Sequence, residues 1–253
     1  MYSKAIVRTP CSAIIDGLTS VNLGKPNYRK ALVQHAAYVR ALEQCGLEVT
    51  IMEPDDRFPD STFVEDTALL TPRCAILTYP GAPSRRGEVE SIEPVIAKFY
   101  ANIERIRPPG TLEAGDVMMV GSHFYIGLSG RTSREGAGQL IAILQKYGLT
   151  GSAVPIGDML HLKTGVAYLE HNNMLATGEF AHRQEFRDFN ILRIEDDESY
   201  AANSLWINGT VIVPEGYPKA RKTIETAGYE IMEVDVSEFR KIDGGLSCLS
   251  LRF

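Results

Sequence analysis

An α/β fold is predicted for this 253-residue chain by three features: short β-rich apolar runs recurring along its length, helix-like stretches between them, and tight polar or Gly-containing links inside several runs. The runs are KAIVR near the start, CAILTY at 74–79, VMMVGSHFYIGL at 117–128, VAYLEHNNMLAT at 166–177 and SLWINGTVIV at 204–213. Helices are expected at about 27–46, 88–101, 133–148 and 217–228; the third opens on the cap-like Thr132-Ser133-Arg134-Glu135 and ends at Gly148. The links VGSHF and EHNN read as turns, and the Asn-Gly of WINGTVIV strongly favours a hairpin.

A hairpin followed by a helix is thus the expected unit. Five such units would average roughly fifty residues, a period at which a pseudo-symmetric propeller of supersecondary blocks comes into consideration. A doubly wound sheet stays open as the alternative, although it predicts fewer hairpins and a Gly-rich phosphate loop that the sequence does not carry. No Pro-, Gly- or Ser-rich linker divides the chain, and RIEDDESYAANS at 193–204 reads as a surface loop. Residues 1–253 are therefore expected to form one domain.

Composition narrows the function classes. A hydrophobic fraction of 44% with 23% charged residues is ordinary for a soluble globular protein, and no apolar run is long enough for a membrane span. MYSKAIVRTP has no apolar stretch followed by a small-residue cleavage site, so a cytoplasmic location is expected. A net charge of -6 without a Lys/Arg stripe gives nucleic acid little electrostatic support and suits a cationic small molecule better. The cysteines at 11, 45, 74 and 248 form no CxxC pair, which argues against a zinc knuckle or a disulfide framework and predicts free thiols.

Several residues stand in contexts that suit chemistry. Cys248 lies in IDGGLSCLSLRF, behind paired glycines and between serines, in what reads as an alternating apolar terminal strand; a cysteine in a strand is usually just a small hydrophobe, as Cys45 and Cys74 look to be. His161 lies in GDMLHLKTGVAYL, where a loop carrying Gly157-Asp158 delivers an imidazole to the start of a strand, a natural place for a proton shuttle beside a thiol. DSTFVEDTALL holds Asp60, Glu65 and Asp66, and GTLEAGDVMMV holds Glu113 and Asp116. Carboxylates entering strands beside apolar residues are unfavourable unless paired, bonded or used on a ligand; solvated edge charges are the plain alternative.

FVEDTA at 63–68, GTLEAGDV at 110–117, LHLKTGVAYL at 160–169, NSLWING at 203–209 and GGLSCLSLRF at 244–253 occur in an order that resembles the dimethylargininase pattern within the guanidino-group-modifying superfamily. The resemblance spans the chain from first strand to last residue. It implies a fivefold propeller of ββαβ units with the active site in the central channel, and hydrolysis of methylated arginine to citrulline and a methylamine with no metal or organic cofactor. By position it makes Cys248 the nucleophile, His161 the general acid and base, and Glu113 the carboxylate that orients the histidine. It assigns Asp66, with Glu65 and Asp60, to the guanidinium or amino end of the substrate. Leu18, Arg85, Arg131 and Ile242 fall to the amino-acid portion, the arginines suiting its carboxylate. Arg86 adjoins Arg85, and a one-residue slip would exchange them.

One departure bears on the subfamily. Arginine deiminases, agmatine deiminases and amidinotransferases typically carry an acidic residue two positions after the histidine, whereas this chain reads His161-Leu162-Lys163. Losing one acidic clamp fits a guanidinium whose alkylated nitrogen has fewer N–H donors to satisfy. The alternatives are an arginine or agmatine deiminase releasing ammonia, a non-catalytic binder of cationic amino acids, and a zinc protein, for which no four-ligand spacing is present. A cationic amino acid is the expected partner, and the sequence is compatible with a homodimer.

Overall fold

The computed structural model describes residues 1–157 and 159–253; Asp158, expected in the loop before His161, lies outside the described residues. Five three-stranded sheets form an α/β propeller. Each joins an antiparallel strand pair, a hairpin in four of the five, to a parallel third strand. One unit joins β3 (Ala68–Leu70), β4 (Ala75–Leu77), α2 (Glu88–Ile96) and β5 (Ile103–Arg105), and the next joins β6 (Val117–Val120), β7 (His123–Leu128), α3 (Arg134–Lys146) and β8 (Thr150–Pro155). A third consists of β9 (Val166–Tyr168), β10 (Asn173–Ala176) and β11 (Asn190–Arg193), with two 3-10 turns where the others carry a helix. The fourth joins β12 (Leu205–Ile207), β13 (Thr210–Pro214), α5 (Pro218–Thr226) and β14 (Glu230–Val234), α4 being the short helix Leu162–Gly165 before β9. The fifth is assembled from both ends of the chain: β15 (Leu251–Arg252) pairs antiparallel with β1 (Lys4–Arg8), which pairs parallel with β2 (Glu48–Met52) after α1 (Tyr28–Gln44).

Local chemistry explains the element boundaries. Asn27 caps α1 by accepting from the Lys30 amide at 3.0 Å, and Ser133 caps α3 by accepting from Gly136 at 3.1 Å. Both helices are followed by left-handed glycines, Gly46 and Gly148. Asn208 and Gly209 both take positive φ between β12 and β13, as a tight right-twisted hairpin requires. α2 stops at Ile96, short of the expected 101, with Pro94 inside it removing a backbone donor. The core lies between sheets and helices: Phe124 and Ile126 of β7 pack with Leu140 and Leu144 of α3, and Ile6 of β1 joins Ile92 and Ile96 of α2.

Two expectations are corrected. Residues 196–202 form a 3-10 segment in which Glu198, Ala201 and Ala202 are buried, followed by buried Asn203 and Ser204; the polar stretch is not merely a surface loop. Glu198 is held there because its carboxylate accepts from the Lys219 and Ala220 amides at the start of α5. The terminal strand is only Leu251–Arg252, so Cys248 sits in a 3-10 turn, Ser247–Leu249, ahead of it.

That placement follows a rule of the fold. Every unit has a short helical turn immediately before its first strand: Val64–Thr67, Ala114–Asp116, α4, Asp196–Ala202 and Ser247–Leu249. The first strands of neighbouring units touch, β3 with β15, β6 with β9 and β9 with β12. The five turns are thereby gathered at the centre. Among the described residues, no helix is long and apolar enough to cross a membrane.

Candidate active site

One cavity is lined together by Leu18, Asp60, Asp66, Arg85, Glu113, Arg131, His161, Ile242 and Cys248, nine of the ten residues expected from the sequence. It shares Leu160, His161, Asp243 and Cys248 with an adjoining lobe of about 250 Å³. The tenth residue, Glu65, is not brought to either. It lines a separate cavity towards β3, β6, β9 and β12, with Trp206 and Arg252. Its Oε1 accepts from Lys163 Nζ at 2.6 Å and from Arg252 at 3.0 Å, and its Oε2 accepts from Ser247 Oγ at 2.8 Å. Glu65 and Asp66 are consecutive in a tight turn, so their side chains diverge.

His161 is the residue before α4, in extended backbone, and its position is fixed from below. The Leu162 amide donates to Asp116 Oδ1 at 2.9 Å, while Ser129 Oγ donates to Asp116 Oδ2 at 2.7 Å. The imidazole Nε2–H donates to Glu113 Oε2 at 2.8 Å, which leaves Nδ1 to face a reacting group. Glu113 Oε1 in turn accepts from the Ala82 amide at 3.0 Å. Gly115 is needed here, because a Cβ would come within 2.8 Å of both His161 Nδ1 and Asp66 Oδ1.

Electrostatics give these groups distinct protonation states. Burial alone would lower the His161 pKa, but the carboxylates of Asp66, Glu113 and Asp116 outweigh it and raise the imidazole to about 9. Against its own burial, Glu113 is drawn down to about 2 by the hydrogen bond and charge of His161. The Cys248 thiol is pushed up to about 12 by burial and by the nearby charges of Glu65 and Asp66. Unliganded, the site therefore pairs an imidazolium with a carboxylate and holds a neutral thiol.

The carboxylate side of the cavity is built to receive positive charge. Asp66 Oδ1 accepts from the Gly115 amide at 3.0 Å and Oδ2 from Arg85 at 2.6 Å; Asp60 Oδ1 accepts from the Leu18 amide at 3.0 Å. Burial raises the Asp60 pKa, the Arg85 charge opposing it only in part. Arg85, not Arg86, reaches the cavity: Arg86 stacks 4.5 Å above the Tyr79 ring and donates to the Pro80 carbonyl. Arg85 is already held by Asp66 and Glu88, whereas among the described residues Arg131 approaches a carboxylate only at Glu113, at 3.7 Å, and is the freer of the two for a ligand carboxylate.

Asp66, Glu113 and His161 bring potential metal-ligand atoms within 4.8 Å of one another. Glu113 is engaged with the imidazole and the Ala82 amide, and Asp66 with Arg85 and the Gly115 amide, so the trio reads as part of a hydrogen-bonded carboxylate–imidazole–guanidinium cluster. All four cysteines are free. Sequence reasoning did not single out Asp116 as the anchor of the His161 turn, nor Asp243, which takes a left-handed φ of 59° and accepts from the Ser20 amide at 2.6 Å. It flagged the paired glycines before Cys248 without their reason. A Cβ on Gly244 would strike the Phe63 ring at 2.3 Å, and one on Gly245 the Asn203 carboxamide at 2.7 Å.

Comparison with known proteins accords with this geometry. The arginine deiminase family model matches residues 55–211. The chain is 61% identical to N(G),N(G)-dimethylarginine dimethylaminohydrolase of Pseudomonas aeruginosa, with all of both chains aligned. It is 35% identical to the enzyme of the same name from Streptomyces coelicolor, covering 98% of this chain and 96% of that one. The structure of a cysteine-to-serine variant of the Pseudomonas aeruginosa protein, complexed with citrulline, superposes with a TM-score of 0.99 at 60% identity over the full length of both chains. A histidine-to-glycine variant of a dimethylarginine dimethylaminohydrolase, as an adduct with S-methyl-L-thiocitrulline, gives the same TM-score and coverage. The N-terminal domain of a cyanobacterial arginine dihydrolase shares the fold at 18% identity and a TM-score of 0.90, covering 100% of this chain and 97% of that domain. The chain belongs to the dimethylarginine dimethylaminohydrolase family.

Proposed function

We propose that this chain hydrolyses N-ω-methylated arginine, asymmetric dimethylarginine and monomethylarginine, to citrulline and dimethylamine or methylamine, through a covalent adduct on Cys248. The observation that carries this reading is the meeting of a buried thiol, a Glu113-bound imidazole and the carboxylates Asp60 and Asp66 in one cavity. The ligands in the related structures support it: citrulline is the product of this reaction, and S-methyl-L-thiocitrulline carries an amidine-type carbon of the same kind.

A guanidinium is planar, delocalised and charged at neutral pH, so its carbon is a poor electrophile towards water. Asp66, with Asp60 near it, holds the cation, and Arg131, with Arg85, takes the substrate carboxylate; Leu18 and Ile242 pack its amino-acid portion. An arriving cation offsets the charge of Asp66, which is one cause of the raised thiol pKa, so the Cys248 proton leaves to solvent as substrate binds. The thiolate forms a C–S bond to the guanidinium carbon. His161, protonated beforehand, transfers its Nδ1 proton to the methylated nitrogen as the C–N bond breaks, so that a neutral amine departs. A thiouronium adduct remains. Neutral His161 then takes a proton from water, hydroxide adds to the same carbon, and the C–S bond breaks to regenerate the thiolate and release citrulline, whose hydroxyl proton passes to solvent while His161 keeps the proton taken from water for the next cycle.

The same reading treats residues 1–253 as one catalytic domain acting in the cytoplasm, where four free thiols suit a reducing compartment. An arginine or agmatine deiminase would use the same thiol chemistry but release ammonia. Incubation with asymmetric dimethylarginine, arginine and agmatine in parallel separates the two. Citrulline and dimethylamine should form from the first substrate, with far slower turnover of the others; ammonia release from arginine at a comparable kcat/KM would replace this reading with the alternative.

A further inference from the structure

Four of the five inner turns hold or directly follow Glu65 and Asp66, Glu113 and Asp116, His161, and Cys248; the fifth, Asp196–Ala202, leads into Asn203, to which the reaction above gives no part. Asn203 is only 7% exposed, and its carboxamide is fully engaged. Oδ1 accepts from the Ser247 amide at 2.9 Å, and Nδ2 donates to the Lys163 carbonyl at 2.8 Å and to Ser247 Oγ at 3.0 Å. Lys163 lies two residues beyond His161, and Ser247 immediately precedes Cys248. One planar group therefore clasps the turn bearing the imidazole to the turn bearing the thiol. Gly245 lets the backbone before Cys248 press against it, since any Cβ there would stand 2.7 Å from the carboxamide. Such a bonded amide is stiff because breaking any of its bonds leaves a buried donor or acceptor unsatisfied.

We propose that Asn203 is a positioning residue for the covalent step, fixing the Cys248 thiol relative to the His161 imidazole through the backbones of Ser247 and Lys163. This rests on the hydrolase reading above. The clamps on the guanidinium and the carboxylate lie on other turns, so loosening Asn203 misplaces the nucleophile and leaves binding groups where they are. A displacement of about 1 Å at a reacting atom lowers rate by about a hundredfold.

Asn203→Ala should lower kcat on asymmetric dimethylarginine by about 10- to 100-fold with KM within about threefold of wild type. It should also change the rate of Cys248 alkylation by iodoacetamide at pH 8. Ser204→Ala, which removes a buried hydroxyl that donates to the Ala201 carbonyl at 2.8 Å, is the control for lost stability and should change neither rate. A folded Asn203→Ala protein with kcat and alkylation rate within about twofold of wild type, or with KM alone raised, overturns the proposal. If the alanine variant does not fold, Asn203→Asp decides, because it keeps the acceptor for Ser247 but sets an oxygen against the Lys163 carbonyl; unchanged kcat there also overturns it. A wild-type protein that makes no citrulline sinks the hydrolase reading, while the alkylation comparison still decides whether Asn203 places the thiol.

Discussion

Glu65 and Asp66 are adjacent acidic residues in one 3-10 turn, both almost fully buried, and they face opposite halves of the propeller channel. Asp66 looks into the cavity of Cys248 and His161, where its partners are Arg85 and a backbone amide. Glu65 looks the other way and is shared by Lys163, Arg252 and Ser247, an ionic layer between that cavity and the opposite one. The arginine that Asp66 pairs with is also held by Glu88. Glu65 has two cations of its own chain to satisfy. On the proposed reading the same chemical group is a ligand for substrate on one side and a structural counter-ion on the other, and the difference lies in partners more than in burial.

The largest break in this picture is on the catalytic side. Cys248→Ser should abolish turnover while substrate still binds, because a hydroxyl cannot supply the nucleophile at neutral pH; activity above about one part in a thousand, in a preparation free of wild-type enzyme, would reject covalent catalysis through this residue. His161→Gly should slow both half-reactions, and a substrate whose leaving group departs without a proton should then accumulate a Cys248 adduct visible by mass spectrometry. The same residue carries a pH signature. Its folded pKa of about 9 lies above the usual 6.5 and that of Glu113, about 2, lies below the usual 4.5, so their ion pair stabilises the fold fully between those two usual values and that contribution is lost as pH rises from 6.5 through about 9. Thermal melts of wild type should therefore fall across that window, and melts of His161→Gly should fall less; equal slopes would show that the pair does not titrate there.

Asp66→Asn and Glu65→Gln sharpen the comparison itself. Removing the Asp66 charge weakens a charge-assisted bond to the substrate, and about 1.5–3 kcal/mol corresponds to a fall of about 10- to 150-fold in kcat/KM. Unchanged kcat/KM in a folded Asp66→Asn enzyme would take Asp66 out of the site. Glu65→Gln leaves the half-buried Lys163 and Arg252 without their carboxylate, so it should reduce stability by about 1–3 kcal/mol while changing kcat/KM less than Asp66→Asn does. A Glu65→Gln protein of wild-type stability but greatly reduced activity would reverse the two assignments.

What the sequence discloses divides along the same lines. Hairpins were legible because their turns need particular residues, as at Asn208-Gly209, and the inner turns because glycines and carboxylates stand out against apolar strands. The third strand of each unit was not. EVTIM, TGSAVP, NILR and EIMEV have a hydrogen-bonded neighbour on one side only and mostly half-exposed or exposed residues, so they carry little apolar alternation. The alternation around Cys248 predicts a strand there, although the pattern covers a 3-10 turn and only two strand residues. The direction of Glu65 could not be read either, since its partners Lys163 and Arg252 lie 98 and 187 residues away. Glycine spacing before Cys248 was visible, but its cause, contact with Phe63 and Asn203, appears only when distant units close around the channel.

Cys248 rests as a thiol beside an imidazolium already paired with Glu113, and in the proposed mechanism it ionises when a cation fills the site. The most direct test is the rate of Cys248 alkylation by neutral iodoacetamide across pH in the unliganded protein, with the modified residue located by peptide mass. The thiol's pKa of about 12 calls for a rate that rises about tenfold per pH unit from pH 6 without levelling before pH 8.5. A plateau reached below pH 7 would reveal a standing thiolate–imidazolium pair and contradict the account.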